Sequence, residues 1–276
     1  MTFEPANDSR AFHDFEHAGW QRAAEHYVST FGTLTAQATE PLLDVVTIAS
    51  GTRLLDVASG PGYVAAAAAA RGARVVGLDF SRSMVDEARR RYPTVTFEEG
   101  DAEALLFEAG RFDAVVMNFG LLHLARPDAA IHEAFRVLVP GGRYGFTVWA
   151  RPEEAVGFGV VLRSMETHGR TKVGLPDGPP FFRFSDADEC VGALSRAGFT
   201  GLAVRKLPLV WRLPSGEALF EAALHGGVRT SAALQAQTPD ALAAIRRAVL
   251  DELQQYAQGD GIAIPMPVVL ASGTKE

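Results

Sequence analysis

The sequence contains a single cysteine, Cys190, among its 276 residues. One cysteine excludes an intramolecular disulfide and is compatible with a reducing cytosol. Because it lies in a helical pattern, we interpret it as a packing residue and not as a nucleophile. No apolar run reaches the ~20 residues that a membrane span needs, and residues 1–10 lack the charged-then-apolar order of a signal peptide. The sequence therefore predicts a cytoplasmic protein without a membrane span.

Basic residues are also scarce, since 26 Lys and Arg stand against 33 Asp and Glu, for a net charge of −7. They form no cluster, and phosphate binding needs concentrated Lys and Arg, so we expect no nucleic-acid partner. The chain has no Gly-x-Ser-x-Gly elbow, which disfavours hydrolase chemistry. His13, His17 and His26 have no accompanying cysteines or carboxylates at metal-ligand spacing, so we expect no metal site either.

The clearest positive pattern is the stretch RLLDVASGPGYVAAAAAARGARVVGLD, residues 53–79. It predicts a strand, a glycine turn at Gly60 and Gly62, an alanine-rich helix and a second strand ending at Asp79. The strands of such a unit lie parallel, and ligands bind beyond their carboxyl ends. The turn and Asp79 should then face one crevice, where a carboxylate can accept hydrogen bonds from both hydroxyls of a ribose. This predicts a cofactor that carries a nucleoside.

The turn does not match the dinucleotide fingerprint, which needs glycines at its first, third and sixth positions. Those positions hold Ala58, Gly60 and Tyr63. Asp56 also lies inside the first strand, where a carboxylate would repel a pyrophosphate and attract an ammonium or sulfonium group. The local chemistry favours a ligand with a cationic head and no phosphates.

The run Asp56-Val57-Ala58-Ser59-Gly60-Pro61-Gly62 resembles the acid-x-Gly-x-Gly-x-Gly motif of class I S-adenosylmethionine-dependent methyltransferases, in the small-molecule, UbiE/Coq5-like branch. Ala58 replaces the first glycine, a place that an alanine with negative φ can take. The resemblance covers about residues 50–150 and implies S-adenosyl-L-methionine as cofactor. It also implies that Phe80 and Met84 flank the nucleoside.

Other polar residues follow later strands of the same unit. Asp101 is placed to accept a hydrogen bond from the exocyclic amine of adenine, with the Ala102 N–H donating to a ring nitrogen; a helix cap is the alternative role of Asp101. Asn118 follows the fourth strand and can bond cofactor or substrate. The predicted cofactor-binding residues are Tyr27, Asp56, Ala58, Ser59, Gly60, Gly62, Asp79, Phe80, Met84, Asp101, Ala102 and Asn118.

Methyl transfer from a sulfonium is an in-line displacement, so the protein must align the reactants and exclude water but need not supply a covalent group. A base is useful only where the nucleophile keeps a proton at neutral pH. The available bases are His13, His17, His26, His123, His168 and Tyr27. His123 is the best placed because it follows the fourth strand, and a structural hydrogen bond is its alternative role.

The order of elements predicts an α/β fold in one globular unit, and the resemblance implies a Rossmann-like, doubly wound, seven-stranded and mostly parallel sheet. Residues 1–48 are interpreted as a helical N-terminal lid, because the resemblance implies that segments ahead of the glycine motif fold over the cofactor; simple packing of their apolar face on the core is the alternative. Residues 49–150 are interpreted as the cofactor-binding core and 151–276 as the rest of the sheet. A helical insertion over about 214–262 would cap the substrate. Within the last part, residues 202–213 are predicted to form one strand in which Pro208 marks a bulge or an edge position, and residues 240–258 one helix. Residues 267–271 are predicted to form the last strand, which the resemblance implies is antiparallel.

These observations predict a methyltransferase that acts on a small aromatic or lipophilic acceptor. Phe158, Phe181, Phe182 and Trp211 favour such an acceptor, unless they fill the core of the cap. A nicotinamide-dependent oxidoreductase is one alternative, which the missing third glycine opposes. A non-catalytic nucleoside-binding module is another. A homodimer is one expectation for the assembly.

Overall fold

A computed structural model describes the backbone of residues 6–276 and the side chains from residue 9 onward. Residues 1–5 of the predicted lid lie outside this described part. Within it, no helix is both long enough and apolar enough to cross a membrane.

Ten strands are described within residues 6–276. They are β1 (Arg53–Val57), β2 (Arg74–Asp79), β3 (Thr96–Glu99), β4 (Phe112–Asn118), β5 (Leu138–Trp149), β6 (Thr200–Leu207), β7 (Val210–Leu213), β8 (Ala257–Gln258), β9 (Gly261–Pro265) and β10 (Val268–Thr274). Seven of them form the main sheet in the order β3-β2-β1-β4-β5-β10-β6. The first five are parallel, and β10 runs antiparallel between β5 and β6. The predicted seven-stranded, mostly parallel sheet is confirmed.

Eleven α-helices are described over the same residues. They are α1 (Ala6–Ser29), α2 (Phe31–Thr35), α3 (Thr39–Val45), α4 (Tyr63–Ala70), α5 (Arg82–Arg91), α6 (Pro127–Val137), α7 (Val156–His168), α8 (Ala187–Ala197), α9 (Gly216–His225), α10 (Arg229–Gln235) and α11 (Pro239–Leu253). Ser81 caps α5, where its hydroxyl accepts from the N–H of Met84 at 3.3 Å. Pro127 and Pro239 occupy the first turns of α6 and α11, where a missing N–H costs no hydrogen bond.

The central strands are apolar because helices cover both faces of the sheet. Leu54 and Leu55 of β1 and Val115 and Val116 of β4 are fully buried. At ~25 cal/mol per Å² of apolar surface, burial of side chains of this size stabilises the fold by about 1.5–3 kcal/mol each. The sheet is therefore a rigid platform, and its strand ends hold the residues that follow them in fixed positions.

The prediction of one strand over residues 202–213 is wrong. Pro208 has no N–H to donate to a sheet, and the run divides there into β6 of the main sheet and β7 of a second sheet with the order β7-β9-β8. The segment predicted as a purely helical insertion therefore also contains strands. Helix α11 ends at Leu253, so the helix predicted over residues 240–258 is too long, because β8 and β9 pair as a hairpin there.

Candidate active site

A cleft lies at the carboxyl edge of β1, β2 and β4, beneath α1 and the start of α10, and encloses about 1220 Å³ when its opening to solvent is counted. Ligands of α/β proteins bind at this edge of the sheet. The predicted residues that line the cleft are Tyr27, Ala58, Gly60, Asp79, Phe80, Met84, Asp101, Ala102, Asn118 and His123. Three predicted residues, Asp56, Ser59 and Gly62, lie beneath its surface and do not line it.

The turn after β1 has an unusual backbone. Ala58, Gly60 and Gly62 have φ values of +54°, +52° and +88°, so the expectation of a negative φ at Ala58 is wrong. The turn requires the left-handed conformation that the usual glycine adopts without strain. A Cβ built on Gly60 would meet no atom within 4 Å, so this backbone faces open space. Gly62 instead lies against Phe97, and a Cβ there would come within 2.7 Å of that ring.

Asp79 is held at the end of β2 by two backbone donors. Its Oδ2 accepts from the N–H of Gly60 at 2.8 Å, and its Oδ1 accepts from the N–H of Ser81 at 2.9 Å. Burial raises the pKa of Asp79 to about 6, although these bonds and nearby His17 act to lower it. The group is therefore mostly ionised at neutral pH. Each of its oxygens has further lone pairs for hydroxyl donors on a ligand.

Asp56 has a different position from the one that its predicted role requires. Its side chain is fully buried, and Oδ2 accepts from the N–H of Ala65 in α4 at 2.9 Å. Its Oδ1 has no hydrogen-bond partner among the described residues. Burial raises the pKa of Asp56 to about 8, so the group is mostly protonated at neutral pH. Its geometry fits an anchor for α4 and gives no support to direct attraction of a cationic ligand.

The Phe80 end of the cleft is covered by α1. The rings of His13 and His17 pack edge-on against Phe80, with centroids 5.8 and 5.4 Å away. Asp101 bonds the N–H of Glu103 through Oδ1 at 2.8 Å, while its Oδ2 lies 3.7 Å from Nε2 of His13. One carboxylate oxygen thus stabilises the local turn, and the other lies where α1 meets the cleft.

Asn118 and Tyr27 belong to a hydrogen-bonded group at the centre of the cleft. Nδ2 of Asn118 donates to the carbonyl of Thr35 at 3.2 Å, and its Oδ1 accepts from the hydroxyl of Thr147 at 2.6 Å. The hydroxyl groups of Tyr27 and Thr35 lie 2.8 Å apart. Burial raises the pKa of Tyr27 well above its ordinary value, which makes its phenol a poor base at neutral pH.

Aromatic side chains form one wall of the cleft. Trp149 lies 4.2 Å from Phe119 and 5.2 Å from Phe158 between ring centroids, and Phe31 lies 4.7 Å from Trp211. Phe119 has a φ of +57°, a strained conformation for a bulky residue at a strand end that faces the cleft. The aromatic lining consists of Trp20, Tyr27, Phe31, Phe80, Phe119, Trp149, Phe158, Phe181 and Trp211. Of the four aromatic residues predicted for the acceptor, Phe182 alone packs behind this wall.

His123 lines the cleft and bonds a residue that sequence reasoning missed. Its Nδ1 lies 3.0 Å from Oε2 of Glu16, and Oε1 of Glu16 lies 2.7 Å from Nε of Arg229. Glu16 is separated from its partners by more than 100 residues, so no local motif announces it. Of the other predicted bases with imidazole rings, His13, His17, His26 and His168, none lines the cleft.

The site fits the predicted nucleoside cofactor on its own geometry. Asp79 presents acceptor oxygens to the cleft, the backbone at Gly60 leaves open space, and Phe80 and Met84 form an apolar patch beside them. Arg229 is the one Lys or Arg among the cleft residues, and it is committed to Glu16. A ligand with phosphates would find no free cation in this lining. The fold and the site thus define a nucleoside-binding α/β protein.

Comparison with known proteins specifies the class. The family model described as a methyltransferase domain matches residues 54–142. The demethylmenaquinone methyltransferase of Paenarthrobacter aurescens is 30% identical over 175 residues, which cover 60% of this chain and 69% of that protein. The enzyme of the same name from Beutenbergia cavernae is 41% identical over 121 residues, covering 42% of this chain and 50% of that one. The chain therefore belongs to the class I S-adenosylmethionine-dependent methyltransferases, of the UbiE type, whose cofactor is S-adenosyl-L-methionine.

Solved structures agree on the fold. The YcgJ protein of Bacillus subtilis superposes with a TM-score of 0.58 at 18% identity, over 87% of this chain and 98% of that one. Phosphoethanolamine N-methyltransferase 2 of Haemonchus contortus gives 0.59 at 19% identity, over 96% of this chain and 60% of that one. The matches to the first curated relatives span about half of their length. None of these comparisons supports a nicotinamide-dependent oxidoreductase.

Proposed function

We propose that the protein transfers a methyl group from S-adenosyl-L-methionine to a small aromatic acceptor of the phenol or hydroquinone class. The observation that carries this proposal is one cleft in which an acidic strand end, an aromatic wall and an imidazole ring meet. The curated relatives named above are demethylmenaquinone methyltransferases, and a reduced naphthoquinone fits the same chemistry.

In this proposal the chain holds the donor mainly through polar groups at successive strand ends. Asp79 accepts the ribose hydroxyls, Asp101 accepts from the adenine amine and the N–H of Ala102 donates to the ring, while Phe80 and Met84 pack against the base. The backbone at Gly60 leaves room for the methionine part, next to Ala58. When bound, the cofactor supplies an electrophilic methyl group on a positively charged sulfur.

The acceptor would bind against the aromatic wall. Trp149, Phe158 and Phe181 present ring faces and edges to the cleft, and such contacts favour a flat aromatic molecule over a polar one. The same rings exclude water, so a nucleophile beside them is weakly solvated. A lipophilic chain on the acceptor would contact apolar side chains such as Val161 and Leu219, which also line the cleft.

The functional roles of the outer segments are part of the proposal. Residues up to 48 act as a lid, since α1 packs on α5 and α9 and its residues Trp20 and Tyr27 line the cleft. The segment over about 214–262 acts as a substrate cap, since Leu219, Ala223 and Arg229 line it too. Cytoplasmic location, a homodimer and the lack of a nucleic-acid partner stay predictions from the sequence.

The test is methyl transfer under reducing, anaerobic conditions. Purified protein is incubated with methyl-labelled S-adenosyl-L-methionine and a panel of acceptors: a prenylated 1,4-naphthohydroquinone with a free ring position, simple catechols, amines and carboxylic acids. We expect label in the naphthohydroquinone or a catechol, and none in the amines or acids. Label only in an amine or acid, or in no acceptor at all, would contradict the proposal.

A further inference from the structure

His123 and Arg229, both partly buried, form a cluster around the buried carboxylate of Glu16, and the cluster joins three separate segments at the wall of the cleft. Glu16 lies on α1, His123 ends the short 3₁₀ turn Leu121–His123, and Arg229 begins α10. Oε2 of Glu16 lies 3.0 Å from Nδ1 of His123, and Oε1 lies 2.7 Å from Nε of Arg229. Each carboxylate oxygen therefore has one dedicated partner.

Arg229 is fixed by contacts on all sides. Its Nη1 donates to the carbonyl of Pro179 at 2.8 Å, and its Nη2 donates to the carbonyl of Leu122 at 2.7 Å. The ring of Phe12 lies 4.3 Å from the guanidinium carbon. An arginine is always charged in proteins, and a fully buried carboxylate is stable as an ion only beside such a partner. Arg229 thus keeps Glu16 ionised and in place.

The ionised carboxylate sets the tautomer of His123. Because a carboxylate only accepts, Nδ1 must carry the proton and donate it to Glu16, which leaves the lone pair on Nε2. The indole of Trp20 packs edge-on at 4.8 Å and fixes the plane of the imidazole. Between residues 9 and 276, no hydrogen-bond partner is found for Nε2. The ring lines the cleft, so Nε2 is available to a ligand there.

We propose that Glu16 is a positioning residue that makes His123 the general base toward the hydroxyl of the acceptor, with Arg229 holding Glu16. The inference rests on the proposed function and narrows the acceptor to one whose nucleophile keeps a proton at neutral pH. The acceptor O–H bond breaks and its proton goes to Nε2 of His123. The electron pair of the phenolate, on oxygen or on a conjugated ring carbon, forms the bond to the methyl carbon, and the carbon–sulfur pair stays on sulfur. Where a ring carbon is methylated, the hydrogen on that carbon then leaves as a proton, its C–H electron pair restores the aromatic ring, and the carbonyl oxygen takes up a proton. The negative charge of Glu16 then stabilises the positive charge of the His123 imidazolium until the proton leaves to solvent.

The key variant is Glu16→Gln, assayed with the prenylated naphthohydroquinone. An amide is neutral and cannot offset the positive charge of the imidazolium. Its NH₂ group can also donate to Nδ1, which favours the tautomer with the proton on Nε2. We expect kcat to fall by about 10²-fold, the acid limb of the pH–rate profile to move to lower pH, and the affinity for S-adenosyl-L-methionine to stay within about threefold. Glu16→Asp, which keeps the charge, should retain more activity than Glu16→Gln.

Glu133→Gln is the matched control, because Glu133 is a partly buried carboxylate paired with Arg136 outside the cleft. It should leave kcat and the pH–rate profile unchanged. A second readout needs no turnover: ¹⁵N NMR of the histidines should show His123, assigned by its loss in His123→Gln, as the Nδ1–H tautomer in the wild type and not in Glu16→Gln.

The outcomes separate the two proposals. If the wild type methylates the hydroquinone and Glu16→Gln does so equally well with an unmoved profile, the positioning role is wrong and the proposed function stands. If the wild type methylates no hydroquinone or phenol, the proposed function fails and the base role toward such an acceptor fails with it. The NMR spectrum then still tests whether Nδ1 of His123 donates to Glu16. An Nε2–H tautomer in the wild type would show that it does not.

Discussion

The carboxylate of Asp79 accepts a hydrogen bond from the N–H of Gly60 at 2.8 Å, which joins the end of β2 to the turn after β1. The same side chain accepts from the N–H of Ser81, at the start of α5. One carboxylate thus connects the three backbone segments that surround the proposed ribose site. It shapes the site before any ligand arrives, so a ligand that uses the remaining lone pairs pays little reorganisation energy.

Substitution Asp79→Asn should weaken binding of S-adenosyl-L-methionine about 10- to 100-fold. The amide removes the charge that strengthens bonds to hydroxyl groups, and its NH₂ group meets a backbone N–H where Asp79 has an acceptor. Isothermal titration calorimetry measures the change directly. Asp113→Asn is the matched control, since Asp113 pairs with Arg53 at the opposite end of the strands. Equal affinity in wild type and Asp79→Asn would remove Asp79 from the ribose role.

The affinity for S-adenosyl-L-methionine should also depend on pH, through the carboxylate of Asp79. The pKa of Asp79 is raised to about 6 by burial, and only the ionised form offers both oxygens as acceptors. Affinity should therefore be constant above pH 7 and fall by up to tenfold per pH unit below about pH 6. Calorimetry from pH 5 to 8 gives the curve. In Asp79→Asn the step near pH 6 should vanish, and its persistence would mean that another group causes it.

The substitution Ala58→Gly should stabilise the protein. Ala58 has a φ of +54°, a conformation that costs a non-glycine residue about 1–2 kcal/mol, whereas the added freedom of glycine in the unfolded chain costs about 0.5–1 kcal/mol. The free energy of unfolding in urea should rise by about 0.5–1 kcal/mol. Gly62→Ala is the reciprocal change, at a φ of +88° and with a Cβ 2.7 Å from Phe97, and it should destabilise. A loss of stability in Ala58→Gly would show that the alanine methyl has a packing role.

The βαβ unit was predictable because its signals are local. The alanines from Ala65 to Ala70, the glycines beside a strand and an aspartate at the next strand end identify α4, the turn and Asp79 from neighbouring residues alone. Glu16 and Arg229 were not predictable, because their 213-residue separation leaves no spacing to read. The break at Pro208 shows a further limit. The proline predicted a bulge or an edge there, but which sheet each half joins depends on β10 for β6 and on β9 for β7, both more than 50 residues after Pro208.

Burial of Asp56 gives a second pH-dependent expectation, this time for stability. Its pKa is raised to about 8 in the folded protein, while in the unfolded chain an aspartate ionises near pH 4. Between those values the folded state holds one proton more than the unfolded state. The contribution of Asp56 to stability is therefore complete below about pH 4 and is lost as pH rises towards 8, by up to about 1.4 kcal/mol per pH unit.

Asp56→Asn has the same shape and does not titrate, so it should lose less stability than the wild type between pH 5 and 8. Urea unfolding at several pH values measures the difference. Asp113→Asn should show the opposite pH dependence below about pH 4, because the hydrogen bond from Arg53 lowers the pKa of Asp113. Its stabilising contribution is present above the unfolded pKa and is lost as pH falls. A pH-independent difference between Asp56→Asn and wild type would show that the buried group stays ionised.

The lid role of α1 can be tested at Gln21, which joins this helix to the start of α5. Its Oε1 accepts from the N–H and hydroxyl of Ser83 at 2.9 and 2.7 Å, and from the hydroxyl of Ser81 at 3.3 Å. Each such bond contributes about 0.5–1.5 kcal/mol. Gln21→Ala should therefore let α1 open more often without changing the wall of the cleft, since Gln21 does not line it.

If the donor leaves by opening of α1, Gln21→Ala should raise the dissociation rate of S-adenosyl-L-methionine about 5- to 10-fold. Amide hydrogen exchange in residues 13–29 should become faster by a similar factor, because exchange and ligand dissociation then use the same local opening of α1. Stopped-flow displacement and exchange mass spectrometry measure the two rates. Gln255→Ala, which removes an exposed amide bonded to the carbonyl of Glu252, should change neither. Faster exchange with an unchanged dissociation rate would mean that the donor leaves by another path and that α1 is only a structural cover.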